Sequence, residues 1–371
     1  MYLLVIPYVF VVRVSSSFHC QKIDILAVAY TVISVVKVFS LLLLIISIWV
    51  CRERWLRMGN SFLALQQLYR IDLRTISLGQ RLELMWKLLM CLSKIILTMY
   101  SMYGPNSMLV CNIFEEKESP VSLIYIGSTI VALPLEMIVC CIDYWIYHLT
   151  RVSNWLLDCL SLEVQELKKD IGWLPRRRGC HRNVYQQQLF GGWRHLWRHC
   201  VRLDKVHREM IMIFQWQMLL NILTNYLTDI TSLFNLIIYL NEPQTAHHIV
   251  YFIGYWITCI IFHLNIISFF AIFGTNRLKW KHLLEQVHEL FLTLCSMDIV
   301  WHEDVYCVAL YRQVEFSIIF GNRCLQRSPD RVRRLHIAGL FDLNRRSEFC
   351  MSTSIAMNVV ILWQIAYKYY F

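Results

Sequence analysis

Six apolar stretches long enough to cross a bilayer dominate this chain: Ile25–Val50, Leu84–Tyr103, Val121–Leu149, Met210–Leu240, Ile249–Phe273 and Ser352–Phe371. About 20 helical residues cross a hydrocarbon core, and a backbone in hydrocarbon must satisfy its own hydrogen bonds, so runs of this length read as helices. Lys87 and Lys94 weaken the second stretch. The opening run Met1–Val12 is short and reaches span length only through Arg13 and Ser15–Ser17; read as a helix over about 1–19, it supplies a seventh span. Composition agrees: 57% of the residues are hydrophobic and 17% are charged, against about 25% charged in soluble domains. The predicted fold is all-α, a polytopic membrane protein with seven transmembrane helices.

Loop charge sets the orientation, because cytoplasmic loops are enriched in Lys and Arg. Loop 51–83 carries six basic residues, 150–209 twelve and 274–351 eleven, whereas the alternate segments hold only Arg13, Lys22 and Lys117. The three basic loops are therefore assigned to the cytosol, the N-terminus to the inside and the C-terminus to the outside. A G-protein-coupled receptor has the opposite orientation. A cleaved signal peptide is the alternative for the first segment, but the segment lacks a basic start and a small-residue cleavage site. Cleavage would leave six spans with the same orientation, and the abrupt start is read as a shortened first helix or an incomplete gene model. The net charge of +10 lies in loops between apolar runs, so no nucleic-acid partner is expected.

The cytosolic loops carry helical periodicity of their own. Arg54–Leu73, Ser153–Lys169 and Lys281–Phe320 space apolar residues along one face, as in Leu283, Val287, Leu290, Phe291 and Leu294. Trp173–Gly192, with Pro175, Gly179, Gly191 and Gly192, reads as an irregular break. The chain thus divides into six membrane helices over 1–273 (about 1–19, 25–50, 84–103, 121–149, 210–240 and 249–273), a helical cytosolic region over 274–351, and a last helix over 352–371.

Sequence patterns for a nucleophile elbow, a zinc protease helix or a phosphate loop are missing, so neither catalysis nor a cofactor is expected. Cys180, His181, His195, His199 and Cys200 are metal-ligating types, but they lack a CxxC pair, and an ordinary basic helix is the expectation, with no metal. Of 14 cysteines, only Cys20 and Cys111 fall in segments assigned to the outside, which allows one disulfide.

Ionisable residues inside spans are costly and tend to face a partner or a wet cavity. Lys37, Lys94, Glu136, Asp143 and Asp229 are such residues, and Asp229 lies near Tyr226, Thr231 and Asn235. Aromatics recur at the outer levels of several spans. Tyr125, Tyr226, Asp229, Tyr255 and Trp256 are the candidate ligand-binding residues of an outward pocket for an amphipathic small molecule. The competing reading is a buried structural pair at Asp229 and an interfacial aromatic belt elsewhere.

The end of the chain is its most specific part. Gly339-Leu340-Phe341-Asp342-Leu343-Asn344 precedes a span in which Met357-Asn358 is followed by Val359-Val360-Ile361-Leu362-Trp363 and then Gln364-Ile365. This resembles the insect gustatory receptor family, in which a G-[LF]-F-x-[LV]-N element precedes a last helix bearing Thr-Tyr, five hydrophobic residues and Gln-Phe. Gly339, Phe341, Leu343, Asn344 and Gln364 match; Met357, Asn358 and Ile365 depart. Chain size, orientation, the long second and third cytosolic loops and Asn60 amid Leu56–Leu65 fit the same resemblance.

The resemblance implies a tetrameric, ligand-gated, non-selective cation channel. Its last helix lines the pore and its cytosolic helix extensions form an anchor domain. Gate roles carry over to Ile361 and Gln364, which share a helix stripe with Met357 and Lys368. Four Ile361 side chains could close a pore by dewetting. Without the resemblance, a single Gln in a span reads as an interhelical hydrogen bond. The implied partners are a small-molecule tastant, bitter-type or otherwise non-sugar, membrane lipid, and other gustatory receptors in a homo- or hetero-tetramer. The implied location is the plasma membrane of gustatory neuron dendrites and axons. The alternatives are a non-conducting accessory subunit and, further off, a membrane transporter.

Overall fold

A computed structural model describes residues 24–69, 78–103, 120–176, 180–241, 246–297, 304–325, 336–337, 341–342 and 345–370. Among these residues lie helices α1 (Asp24–Val50), α2 (Arg52–Leu68), α3 (Leu78–Tyr103), α4 (Pro120–Gly172), α5 (Cys180–Asn241), α6 (Ala246–Cys295), α7 (Val305–Leu325) and α8 (Arg345–Tyr370). A 3₁₀ turn at Leu174–Arg176 separates α4 from α5, and strands β1 (His336–Ile337) and β2 (Phe341–Asp342) precede α8. The expected first span at 1–19, and Cys20 and Cys111, lie outside the described residues.

α4, α5 and α6 are 53, 62 and 50 residues long. Even the shortest extends about 75 Å at about 1.5 Å per residue, well beyond a bilayer core of about 30 Å. Each joins an apolar segment to an amphipathic one, as the periodicity predicts for Ser153–Lys169 in α4 and for the first part of Lys281–Phe320 in α6, the rest of which falls in α7. In the amphipathic half, Leu156, Leu160 and Val164 of α4, Trp193, Leu196 and Leu203 of α5, Leu283, Val287 and Leu290 of α6, and Leu310 and Val314 of α7 form one buried cluster. Arg182 seals its far end by donating to Asp304 from Nε at 2.8 Å and Nη2 at 2.7 Å; such a bidentate pair fixes geometry as well as charge.

One boundary differs from the sequence reading. α5 begins at Cys180 and runs through Gly191 and Gly192, so residues 180–192 of the expected break are helical. Each glycine costs a helix interior about 1 kcal/mol relative to Ala. Burial of the adjacent Trp193 and Leu189 in the hydrophobic cluster outweighs that.

Two described helical segments, Ile253–Cys295 and Arg346–Ile365, are long and apolar enough to cross a membrane. The pair Val35–Val50 and Arg52–Leu68, bent by 78°, is a third if counted as one span. α5 packs against α1, α2, α4, α6, α7 and α8, which makes it the central helix. The strands pair antiparallel, with His336 opposite Asp342 and Ile337 opposite Phe341. This pairing, unexpected within a region read as helical, holds part of the Gly-Leu-Phe element. Gly339, Leu343 and Asn344 lie outside the described residues, as does the side chain of Phe341.

Candidate ligand and gating site

Gln217, Asn221, Asn225 and Asp229 recur every four residues along α5 and so share one face. Polar groups buried in a low-dielectric interior must find partners, and each of these finds one on a different helix. Ser40 of α1 donates to Gln217 at 3.1 Å. Asn221 donates to Asp143 of α4 at 2.9 Å. Lys94 of α3 donates to Asn225 at 2.9 Å. Asp229 Oδ2 pairs with His263 Nδ1 of α6 at 2.9 Å. The result is a polar ladder that ties five helices together.

Its lower rung carries charge. Lys87 Nζ lies 3.2 Å from Asp143 Oδ2, with side-chain exposures of 1% and 5%. Lys87 also donates to Asn265 of α6 and sits 5.1 Å from the Tyr147 ring centroid, while Lys94 sits 5.3 Å from that of Phe262. The two lysines that weaken the second span therefore turn inward, toward a shared carboxylate and aromatic faces.

The ladder reaches the last helix through Tyr226. Its hydroxyl lies 2.7 Å from Ser354 Oγ and accepts from Asn358 Nδ2 at 2.8 Å, and Asn358 also donates to the Ser354 carbonyl at 2.8 Å. α8 buries Met351, Ile355 and Val359, spaced four apart, against the bundle. The other side of α8 bears Met357, Val360, Ile361 and Gln364, all exposed, Ile361 at 47%.

Among the candidate ligand residues, Tyr226 and Asp229 join this network. Asp229 is 1% exposed, and its Oδ1 has no hydrogen-bond partner among the described residues. Tyr255 is half-buried, Trp256 is 49% exposed on the outside of the bundle, and the side chain of Tyr125, within α4, lies outside the described residues. His263, Ser354 and the Lys87–Asn265 contact were not singled out from sequence. The four-residue spacing of amides on α5 was a readable signal for the ladder, whereas its partners follow only from packing. Asn358, noted only as a departure from the family's Tyr, bonds the Tyr226 hydroxyl. In the amphipathic half of α5, His195 and His199 touch, with ring centroids 4.2 Å apart. Among the described residues, no group of three or more His, Cys, Asp or Glu is arranged to hold a metal ion.

The architecture is matched by sequence comparison. The pattern of the family described as 7tm Chemosensory receptor matches residues 1–369. A Drosophila melanogaster protein named as candidate gustatory receptor 58c is 34% identical over 370 residues, covering 100% of this chain and 88% of its own length. Both are receptors by description, not enzymes. The chain belongs to the 7tm chemosensory receptor family.

Proposed function

We propose that the chain is a subunit of a tastant-gated, non-selective cation channel of the gustatory receptor type. It works as a homo- or hetero-tetramer, with seven spans and an external C-terminus, in the plasma membrane of gustatory neuron dendrites and axons. The observation that carries this reading is the two-sidedness of α8: one face is packed and hydrogen-bonded to α5, while Ile361 and Gln364 on the other contact nothing that buries them. Four copies turned toward an axis would place an apolar ring at Ile361 and a polar ring at Gln364, the arrangement of a dewetting gate. A ligand shifts such an equilibrium only through its different affinity for the two states. The Asp229 oxygen without a partner among the described residues supports a ligand with a hydrogen-bond donor; that the tastant is bitter-type or otherwise non-sugar rests on the family resemblance alone. Binding there is one turn from Tyr226, whose bonds hold α8.

Expression in a surface-labelled cell, with and without other gustatory receptors, followed by recording of tastant-evoked cation currents, tests the reading. Currents weakened by Asp229→Asn are expected. A surface-expressed assembly that never conducts in any combination would overturn it. A second reading, a non-conducting accessory subunit, is favoured by Lys368, which lies on the Ile361–Gln364 stripe of α8, since a ring of positive charge discourages cations. In that case Gln364→Ala and Lys368→Ala would leave the ion selectivity of a mixed assembly unchanged.

A further inference from the structure

Near the middle of α5, just before the point where the helix is read as entering the membrane, a cavity of 260 Å³ opens between α2 and α5. Arg57, Asn60 and Ser61 line it from α2, and Arg202, Lys205, Val206 and Glu209 line it from α5. Three cations converge there from two helices, and none of the three makes an ion pair among the described residues. Three positive charges against the single carboxylate of Glu209 leave a net positive cavity, which raises the local potential and attracts an anion. Two guanidinium groups and an ammonium beside an amide and a hydroxyl match the several oxygens of a phosphate.

The surroundings show which phosphate fits. Arg202, Lys205, Glu209, Met212 and Trp216 alternate by three and four residues along one face of α5. That stripe passes from the basic cavity into Met212 and Trp216, which are large, apolar and exposed. On the α2 side, the chain arrives from α1 through Trp49, 84% exposed, and turns by 78° at the start of α2. A basic head site that continues into exposed apolar surface is the shape of an amphiphile's site, and basic pockets between membrane helices on the cytoplasmic side bind anionic headgroups.

We propose that this cavity binds a phosphate-bearing anion, namely the phosphorylated headgroup of an inner-leaflet lipid, with Arg57, Arg202 and Lys205 on the phosphate and the acyl chains along Met212 and Trp216. Glu209 at the rim accepts a headgroup hydroxyl, which favours a polyhydroxylated head such as phosphorylated inositol. The proposal rests on α5 entering the membrane near Met210 and is independent of whether the channel conducts.

Titration of the detergent-purified full chain with a dioctanoyl phosphoinositide, with soluble inositol trisphosphate and with inorganic phosphate, read by fluorescence or by native mass spectrometry, tests it without currents. The short-chain lipid is expected to bind, and Arg57→Gln, Arg202→Gln and Lys205→Gln are each expected to weaken it about fivefold. Lys281→Gln, which removes the same charge on α6, is expected to leave binding unchanged. Binding of inositol trisphosphate or inorganic phosphate equal to that of the lipid would overturn the lipid as the source of the phosphate. An equal loss with Lys281→Gln, or no loss with the three cavity variants, would overturn the site itself.

Discussion

Lys87 shows what a charge inside an apolar segment requires. The ammonium is almost wholly buried against Asp143, Asn265 and the Tyr147 ring. A pair of buried charges is held by mutual attraction and by hydrogen bonds on the remaining polar atoms; Asp143 also receives Asn221. Replacing such a pair with well-packed apolar residues is often neutral, whereas removing one member leaves a buried charge uncompensated, at about 3–5 kcal/mol. Asp143→Asn, which leaves Lys87 and Lys94 without the carboxylate they share, is therefore expected to lower the thermal unfolding temperature of the purified protein and its surface expression sharply. The triple variant Lys87→Met, Lys94→Met and Asp143→Asn is expected to recover most of that loss. Recovery in the triple variant separates an electrostatic cost from a packing cost, because the change at Asp143 is common to both proteins.

At the scale of elements, what could be read from the chain followed from what helix periodicity encodes. Helices α1 and α4 start one residue before the apolar stretches Ile25–Val50 and Val121–Leu149, since apolar composition changes abruptly at Asp24 and Pro120. α8 starts at Arg345, seven residues before the expected Ser352, because Arg345, Arg346 and Glu348 are polar yet helical, and apolarity alone does not register them. The β1–β2 pairing depends on a contact between two-residue strands too short to leave a periodic trace. The site was legible in the same uneven way. Asp229 and Tyr226 stood out as polar groups in a span, but that one would meet His263 and the other Asn358 depended on how helices far apart in sequence pack. Gly191 and Gly192 were misread for the same reason: local propensity favours a break, and the buried face around Trp193 overrides it. Nothing lies within 4 Å of a Cβ added at Gly191, and at Gly192 the nearest atom is Leu167 Cδ1 at 3.7 Å. With room available and a helical backbone, each Gly→Ala substitution is expected to raise stability by about 0.5–1 kcal/mol, read as a higher unfolding temperature. Gly192→Pro, which removes a backbone donor and clashes with the preceding turn, is expected to lower it.

Over the whole molecule, loop charge and the two faces of α8 make linked demands on topology. If the basic loops lie together on one side of the membrane, as proposed, the end of α8 lies on the other, and an exposed stripe on a helix otherwise packed into the bundle needs a covering environment, either lipid or other copies of α8. Thiol labelling distinguishes these environments. In the tetrameric arrangement, Ile361→Cys and Gln364→Cys face water when the gate is open, so a membrane-impermeant thiol reagent added outside is expected to modify them and block current only while tastant is present. Ile355→Cys, on the face packed against α5 and α6, is expected to be unreactive in either state, and the parent protein, with its own cysteines, supplies the baseline. If the stripe faces lipid instead, Ile361→Cys and Gln364→Cys stay unreactive with and without tastant, because the thiolate that reacts does not form in hydrocarbon. Reactivity from the cytosolic side alone would reverse the orientation inferred from the loops. State-dependent reactivity from outside at Gln364 and Ile361, with none at Ile355, is the pattern required by an external C-terminus and a pore bounded by α8.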